Sequence, residues 1–319
     1  MTVPTTVLLA TIMGDEHARR FDDTWPDETL WHHGALERFA AVASLAGLAG
    51  PASVDEVLAR YSGPVNVVGP PIIEASGGIT DRFLVDAETA RKWYDAGAAL
   101  ECDFLETGSP ALNRACRQLR KELRLPEGAL AKCIAYCAAK HAGFAPHFDA
   151  YVNFVLQLKG EKQWRLAPNV NAELPVQHYD LAEAPHLPEE LRSYWTGEAP
   201  GADLPHAVDL TLRPGSALFV PRGAWHATAA SGDTVSVNFT FSQPTRADVV
   251  LAALRRRMVS DPQWRRLFRE GDEHTGITSA ERVPTDLAAE DLARAAAEPL
   301  DLYQEGRAGI HQQLWQGRP

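Results

Sequence analysis

HFDAYVNFVLQLKGEKQWRLAP, residues 147–168, is the stretch on which the fold turns. After His147-Phe148-Asp149, the residues Val152, Phe154, Leu156 and Leu158 alternate with Asn153, Val155 and Gln157. That is the period of two expected of a strand with one face on a core. Lys159-Gly160-Glu161 reads as a turn, and Lys162 to Leu166 as the returning strand of a hairpin. The same pattern extends from about 129 to 242. Ala131 to Cys137 reads as a strand before it. Downstream, Pro214-Gly215 turns the chain into Ala217–Val220, and Pro221-Arg222-Gly223 turns it again before Trp225-His226-Ala227. Ser231-Gly232-Asp233 then leads into Thr234–Phe241, where Val235, Val237, Phe239 and Phe241 share one face and Thr234, Ser236, Asn238 and Thr240 the other. Many short strands punctuated by Gly/Pro turns predict a barrel or double-sheet jelly roll. A Pro- and acid-rich insertion, about 168 to 205, interrupts it without a readable motif.

Outside this block the periods differ. Val7 to Ile12 is predicted as a strand, Gly34 to Leu48 as an Ala-rich helix, and Pro64 to Val68 as a strand before Gly/Pro-rich loops through Gly77-Gly78. Asp86 is placed to N-cap a helix ending near Asp95. Ser109 caps another with Pro110 at its first position. Its residues Leu112, Cys116, Leu119 and Leu123 fall on one stripe, with Arg114, Arg117, Arg120 and Lys121 off it. Thr245 and Asp248 form a capping-box variant ahead of Val250, Leu251, Leu254 and Met258, and Trp264, Leu267 and Phe268 follow at helical spacing. Thr285 opens an Ala-rich helix to about Ala297. That is more apolar surface than a helical tail hides by itself, which predicts a homodimer.

Composition narrows the classes. The 319 residues are 45% hydrophobic and 23% charged, a globular balance that excludes wholesale disorder. A net charge of −11 argues against a binder of phosphate backbones, so nucleic acid is not an expected partner. No apolar run approaches membrane-spanning length and no basic secretion signal opens the chain, so a soluble cytoplasmic protein is expected. Four cysteines do not make a disulfide scaffold. Cys133 and Cys137, four apart on a strand and hence about 13 Å from one another, are expected to be buried free thiols. Arg246, Arg255, Arg256, Arg257, Arg265, Arg266 and Arg269 read as the solvated face of two helices, or else as a docking patch for an acidic leader or RNA.

His147 and Asp149, two apart in an extended segment, leave the same face. His226, after a Gly-containing turn and at a strand start, is the candidate third ligand. Two imidazoles and one carboxylate leave three adjacent positions open on an iron(II) ion, enough for a bidentate 2-oxoacid and then dioxygen. Among eleven histidines roughly one His-x-Asp arises by chance, so the pair gains weight only from the distal histidine and the strands around it. His32-His33 diverge as neighbours and are rejected as a site.

His147 to Pro168 and Leu212 to Phe239 (LRPGSALFVPRGAWHATAASGDTVSVNF) resemble the JmjC-type 2-oxoglutarate oxygenases, closest to the ribosomal oxygenases that hydroxylate side chains of ribosomal proteins. Phe21 to Phe39 and Tyr94 to Leu105 resemble the family's N-terminal segments, so the likeness covers about residues 20 to 260. It implies a mostly β double-stranded β-helix of the cupin type with flanking helices. A catalytic domain would span 1–244, with 1–95 as support and 96–244 as the jelly-roll core, and a helical region 245–319 would serve self-association. It also implies iron(II) on His147, Asp149 and His226, and Lys162 on the distal carboxylate of 2-oxoglutarate. Asn153 and Asn238 resemble the pair near the iron of the asparaginyl hydroxylase that inhibits the hypoxia-inducible factor, where amides reach the oxoacid. Phe144 and Thr240 depart from that enzyme, which carries a hydroxyl residue and a Trp there. Tyr136 on the preceding strand reads either as a core tyrosine or as the missing contact to the oxoacid.

Three functions follow. The first is hydroxylation of a side-chain carbon, by preference the β-carbon of His and otherwise of Arg or Asn, in a protein or a ribosomally made peptide, with dioxygen consumed and 2-oxoglutarate decarboxylated to succinate. The second is the same chemistry on a free amino acid or small metabolite. The third is a cupin-like ligand-binding module without catalysis.

Overall fold

A computed structural model describes residues 7–23, 25–41, 53–73, 79–267 and 287–297. Its described strands are β1 (Leu30–His33), β2 (Val65–Ile73), β3 (Ile79–Val85), β4 (Ala99–Cys102), β5 (Leu130–Ala138), β6 (Gly143–Phe148) and β7 (Val152–Lys159). They continue with β8 (Lys162–Ala167), β9 (Tyr179–Asp180), β10 (Val208–Leu212), β11 (Ser216–Val220), β12 (Trp225–Ala230) and β13 (Thr234–Ser242). Eight form one sheet in the order β1-β11-β7-β13-β5-β4-β2-β3, and five form another, β10-β8-β12-β6-β9.

From β5 to β8 the chain changes sheet at every strand, and it does so again from β10 to β13. This is the expected double-stranded β-helix, and it corrects one detail. β7 and β8 are not hairpin partners. β7 pairs antiparallel with β11 and β13, β8 with β10 and β12. The turn between them crosses from sheet to sheet, and Gly160 makes that crossing, with φ +66° and a Cβ position only 2.1 Å from the Asp233 carbonyl oxygen. A side chain fits neither the backbone angle nor the space.

The large sheet is covered on both faces. On one, Phe154, Leu156, Leu158, Val235, Val237, Phe239 and Phe241 pack with Leu112, Cys116 and Leu119 of the helix Pro110–Glu122. Ser109 caps that helix as the sequence predicts, as Asp86 caps Ala87–Asp95. The other face of β7 and β11 meets the small sheet through Val155, Leu218 and Val220 against Trp164, Leu166 and Leu212. All four cysteines are buried free thiols.

The N-terminal expectations need correction. Val7–Met13 is a helix, not a strand. Leu8, Leu9, Ile12 and Met13 bury together at helical spacing, and the Glu122 carboxylate accepts the free amides of Leu8 and Leu9 at the helix start. The helix expected over 34–48 is a 3-10 turn, Leu36–Ala41, and residues 42–48 lie outside those described. Pro64–Val68 lengthens to β2.

The described residues fall into two compact units, one made of those up to 125 with 131–242, the other of 126–130 with those from 243 to 297. In the second, Thr245 and Asp248 form the predicted capping box for the helix Arg246–Val259. Trp264 lies in a 3-10 turn, Pro262–Arg265, rather than on a continuing helix, and Phe268 lies outside the described residues. The Ala-rich helix runs Ala289–Ala297; Thr285 is likewise outside.

Candidate metal centre and cosubstrate cleft

His147 is the last residue but one of β6, His226 the second of β12, and the two are directly paired across the ladder. Asp149 follows β6, its carbonyl accepting the Gly223 amide at 2.8 Å. One ligand atom from each of the three buried side chains lies within 4.8 Å of the others. The imidazole centroids are 4.1 Å apart, and His226 Nε2 is 3.6 Å from Asp149 Oδ2.

The backbone sets the tautomers. His147 Nδ1 lies 2.7 Å from the Ala145 carbonyl oxygen and His226 Nδ1 2.9 Å from that of Ala224. A carbonyl only accepts, so each Nδ1 carries the proton and each Nε2 keeps a free lone pair. Burial lowers both histidine pKa values, and for His147 the neighbouring His226 adds to it. The rings are thus held neutral, the form that ligates. Burial pushes the Asp149 pKa up, but the hydrogen bond from His178 and the nearby imidazoles outweigh it and hold the carboxyl below its usual range.

The three side chains line a small cleft of about 50 Å³, partly open to solvent, together with Tyr136, Asn153, Lys162 and Asn238. All seven residues singled out in the sequence therefore meet. Lys162 faces Asp149's cleft because β8 lies in the opposite sheet from β7. Its ammonium is buried, 5.3–5.7 Å from the ring centres of Phe144, Tyr136 and Trp164. It makes no ion pair among the described residues, and burial brings its pKa down to about 8. Arg165, the other basic residue of β8, alternates outward and pairs with Asp209 at 2.8 Å. Asn153 donates to Asp149 Oδ2 at 2.9 Å and accepts from Thr240 Oγ1, so the amide braces the carboxylate. Tyr136 donates to Glu101 Oε1 at 3.2 Å.

Other lining residues were not foreseen. Glu101, on a four-residue strand too short to show a period, is buried and held by Asn66 Nδ2 at 3.0 Å as well as Tyr136. Arg82, Tyr151, Trp164 and His178 also line the cleft. The Asn238 Oδ1 and Trp164 Nε1 atoms are buried without a hydrogen-bond partner. These orphaned polar atoms, an unpaired ammonium and a nitrogen-nitrogen-oxygen donor set fit a divalent metal with an anionic oxoacid beside it. A wider depression lined by Arg91, Tyr94, Lys140, Lys159 and Asp233 gathers no such set.

A double-stranded β-helix enclosing a His-Asp-His set defines the iron(II)- and 2-oxoglutarate-dependent oxygenase class. Residues 113–249 match the JmjC domain family. The Bacillus subtilis protein YxbC is 47% identical over 246 residues, 77% of this chain and 74% of that one. Ribosomal oxygenase 1 of zebrafish (Danio rerio) is 27% identical over 203 residues, 61% of this chain and 34% of that one, so the chain matches about a third of that relative's length. A structure of YcfD, a ribosomal oxygenase of Escherichia coli, in complex with cobalt and 2-oxoglutarate, aligns over 94% of this chain and 69% of that one at 14% identity, TM-score 0.48. The chain belongs to the JmjC-domain family, and it is a 2-oxoglutarate-dependent oxygenase.

Proposed function

We propose that the chain hydroxylates a carbon of a side chain in a protein or ribosomally made peptide, with His the preferred residue and Arg or Asn behind it. The observation that carries this reading is the buried, unpaired Lys162 ammonium in the same cleft as the converging His147, Asp149 and His226. Nε2 of His147 and His226 and one Asp149 oxygen would hold iron(II), and Lys162 the distal carboxylate of 2-oxoglutarate. Asn238, with its free amide oxygen, and Tyr136 lie beside that path. Iron(II) so held supplies, with 2-oxoglutarate and dioxygen, insertion of one oxygen atom into a C–H bond, the other oxygen leaving in succinate and the cosubstrate losing carbon dioxide.

The chain's own residues bind and orient. The two Nδ1 hydrogen bonds fix the imidazoles, and Asn153 fixes the carboxylate. The phenyl and indole rings around Lys162 keep water from its ammonium, which strengthens the contact to a carboxylate. The Glu101 carboxylate offers an acceptor to a substrate group that donates hydrogen bonds, as imidazole, guanidinium and amide do. The relative named ribosomal oxygenase supports a protein substrate; a free amino acid is the second reading. Turnover of 2-oxoglutarate to succinate with His-, Arg- and Asn-containing peptides, followed by mass spectrometry, tests it. A peptide gaining one oxygen atom supports the proposal. Turnover stimulated by free amino acids and by none of the peptides contradicts it.

A further inference from the structure

The insertion between β8 and β10 reaches the metal-ligand set along β9, and one side chain just before that strand meets a ligand directly. Its short strand β9 pairs antiparallel with β6, Tyr179 opposite Phe148 and Asp180 opposite His147. One step further along the ladder, His178 falls opposite Asp149. The Tyr179 ring is locked among aromatic side chains, 5.9 Å from Phe148, 5.4 Å from Trp195 and 6.2 Å from Trp225 between centroids. The backbone on which His178 sits is thereby fixed, and its Nδ1 lies 3.0 Å from Asp149 Oδ1.

The two carboxylate oxygens of Asp149 have different neighbours. Oδ1 faces His178. Oδ2 is the oxygen near His226 Nε2, at 3.6 Å, and it also accepts from Asn153. We propose that His178 is a positioning residue that donates Nδ1–H to Oδ1 and so presents Asp149 to the metal through Oδ2 alone. A carboxylate that chelated through both oxygens would fill one of the three positions that the oxoacid and dioxygen need. Partners that orient a ligating side chain typically change metal affinity by about tenfold to a hundredfold when removed. The inference rests on the metal-site reading above. It makes the insertion, which carries no motif of its own, a part of the metal site.

The test is calorimetric titration of the full-length chain with Mn(II) alone, then of the Mn(II) form with 2-oxoglutarate. Three proteins are compared: wild type, His178→Phe and His178→Asn. Phenylalanine keeps the ring and removes the donor; asparagine keeps a donor near the Nδ1 position. The Phe variant is expected to bind Mn(II) about tenfold or more weakly, and the Asn variant to stay within about threefold of wild type. Where the Phe variant loses its circular-dichroism spectrum, His178→Ala takes its place in the same comparison. A donorless variant with wild-type affinity overturns the proposal, as does an Asn variant no better than the donorless one. A wild type that takes up no Mn(II) fells the metal-site reading and this inference with it, whereas a wild type that binds and variants that do not differ fell this inference alone.

Discussion

Lys162 carries a charge into a cleft where rings surround it and no described carboxylate pairs with it. Its pKa near 8 is a consequence of that burial. A bound carboxylate favours the protonated form, so 2-oxoglutarate should bind with constant affinity below about pH 8 and weaken by about tenfold per unit above it, until the raised pKa of the bound state is reached. Calorimetry on the Mn(II) form across that range checks the slope; a flat profile would contradict it. Lys162→Ala removes a charge-assisted contact of about 1.5–3 kcal/mol. It should raise the Michaelis constant for 2-oxoglutarate by about one to two orders of magnitude and leave metal affinity alone. Equal weakening of both would mean that the lysine shapes the metal site instead. At this scale the sequence was legible where residue type and spacing coincide, as in His147-x-Asp149. Glu101 and His178 were not, because each owes its place to a partner strand: Glu101 stands opposite Tyr136 on β5, and His178 beside Asp149 beyond the β6–β9 ladder.

Elements show why part of the fold could be read in advance. The helix Pro110–Glu122 has its cap, its proline and its apolar stripe within the local sequence, and all held. The segment 7–13 was misread because its apolar residues satisfy both a short strand and a helical stripe; the Glu122 carboxylate that caps it comes from a helix more than a hundred residues away. The pairing of β7 and β8 was misread for a different reason, since period two fixes a strand but not its sheet. What decides that is the Gly160 crossing. Gly160→Ala meets both a left-handed backbone angle and the Asp233 carbonyl, and should cost about 1–3 kcal/mol. A urea midpoint equal to wild type would show that the crossing tolerates a side chain. Leu119, fully buried under the large sheet, should cost about 2–5 kcal/mol when changed to Ala; a loss below about 1 kcal/mol in the same measurement would place it outside the well-packed core.

For the whole molecule, the helix Arg246–Val259 leaves Val250 and Leu251 exposed while burying Ala253. We propose that this apolar face is covered by a second copy of the chain. Sedimentation at micromolar concentration should then give twice the 34.9 kDa chain mass, and Leu251→Glu should return it to a monomer. A wild-type monomer would contradict the dimer. No described helix is long and apolar enough to cross a membrane. The central claim, that one cleft binds a metal on three side chains and an oxoacid on a fourth, is tested most directly by anomalous diffraction from crystals grown with Mn(II) and 2-oxoglutarate under anaerobic conditions. The account predicts a single ion bound by Nε2 of His147, Nε2 of His226 and one oxygen of Asp149, with the distal carboxylate of 2-oxoglutarate on Lys162. An ion held elsewhere, or an oxoacid whose distal carboxylate lies away from Lys162, would contradict it.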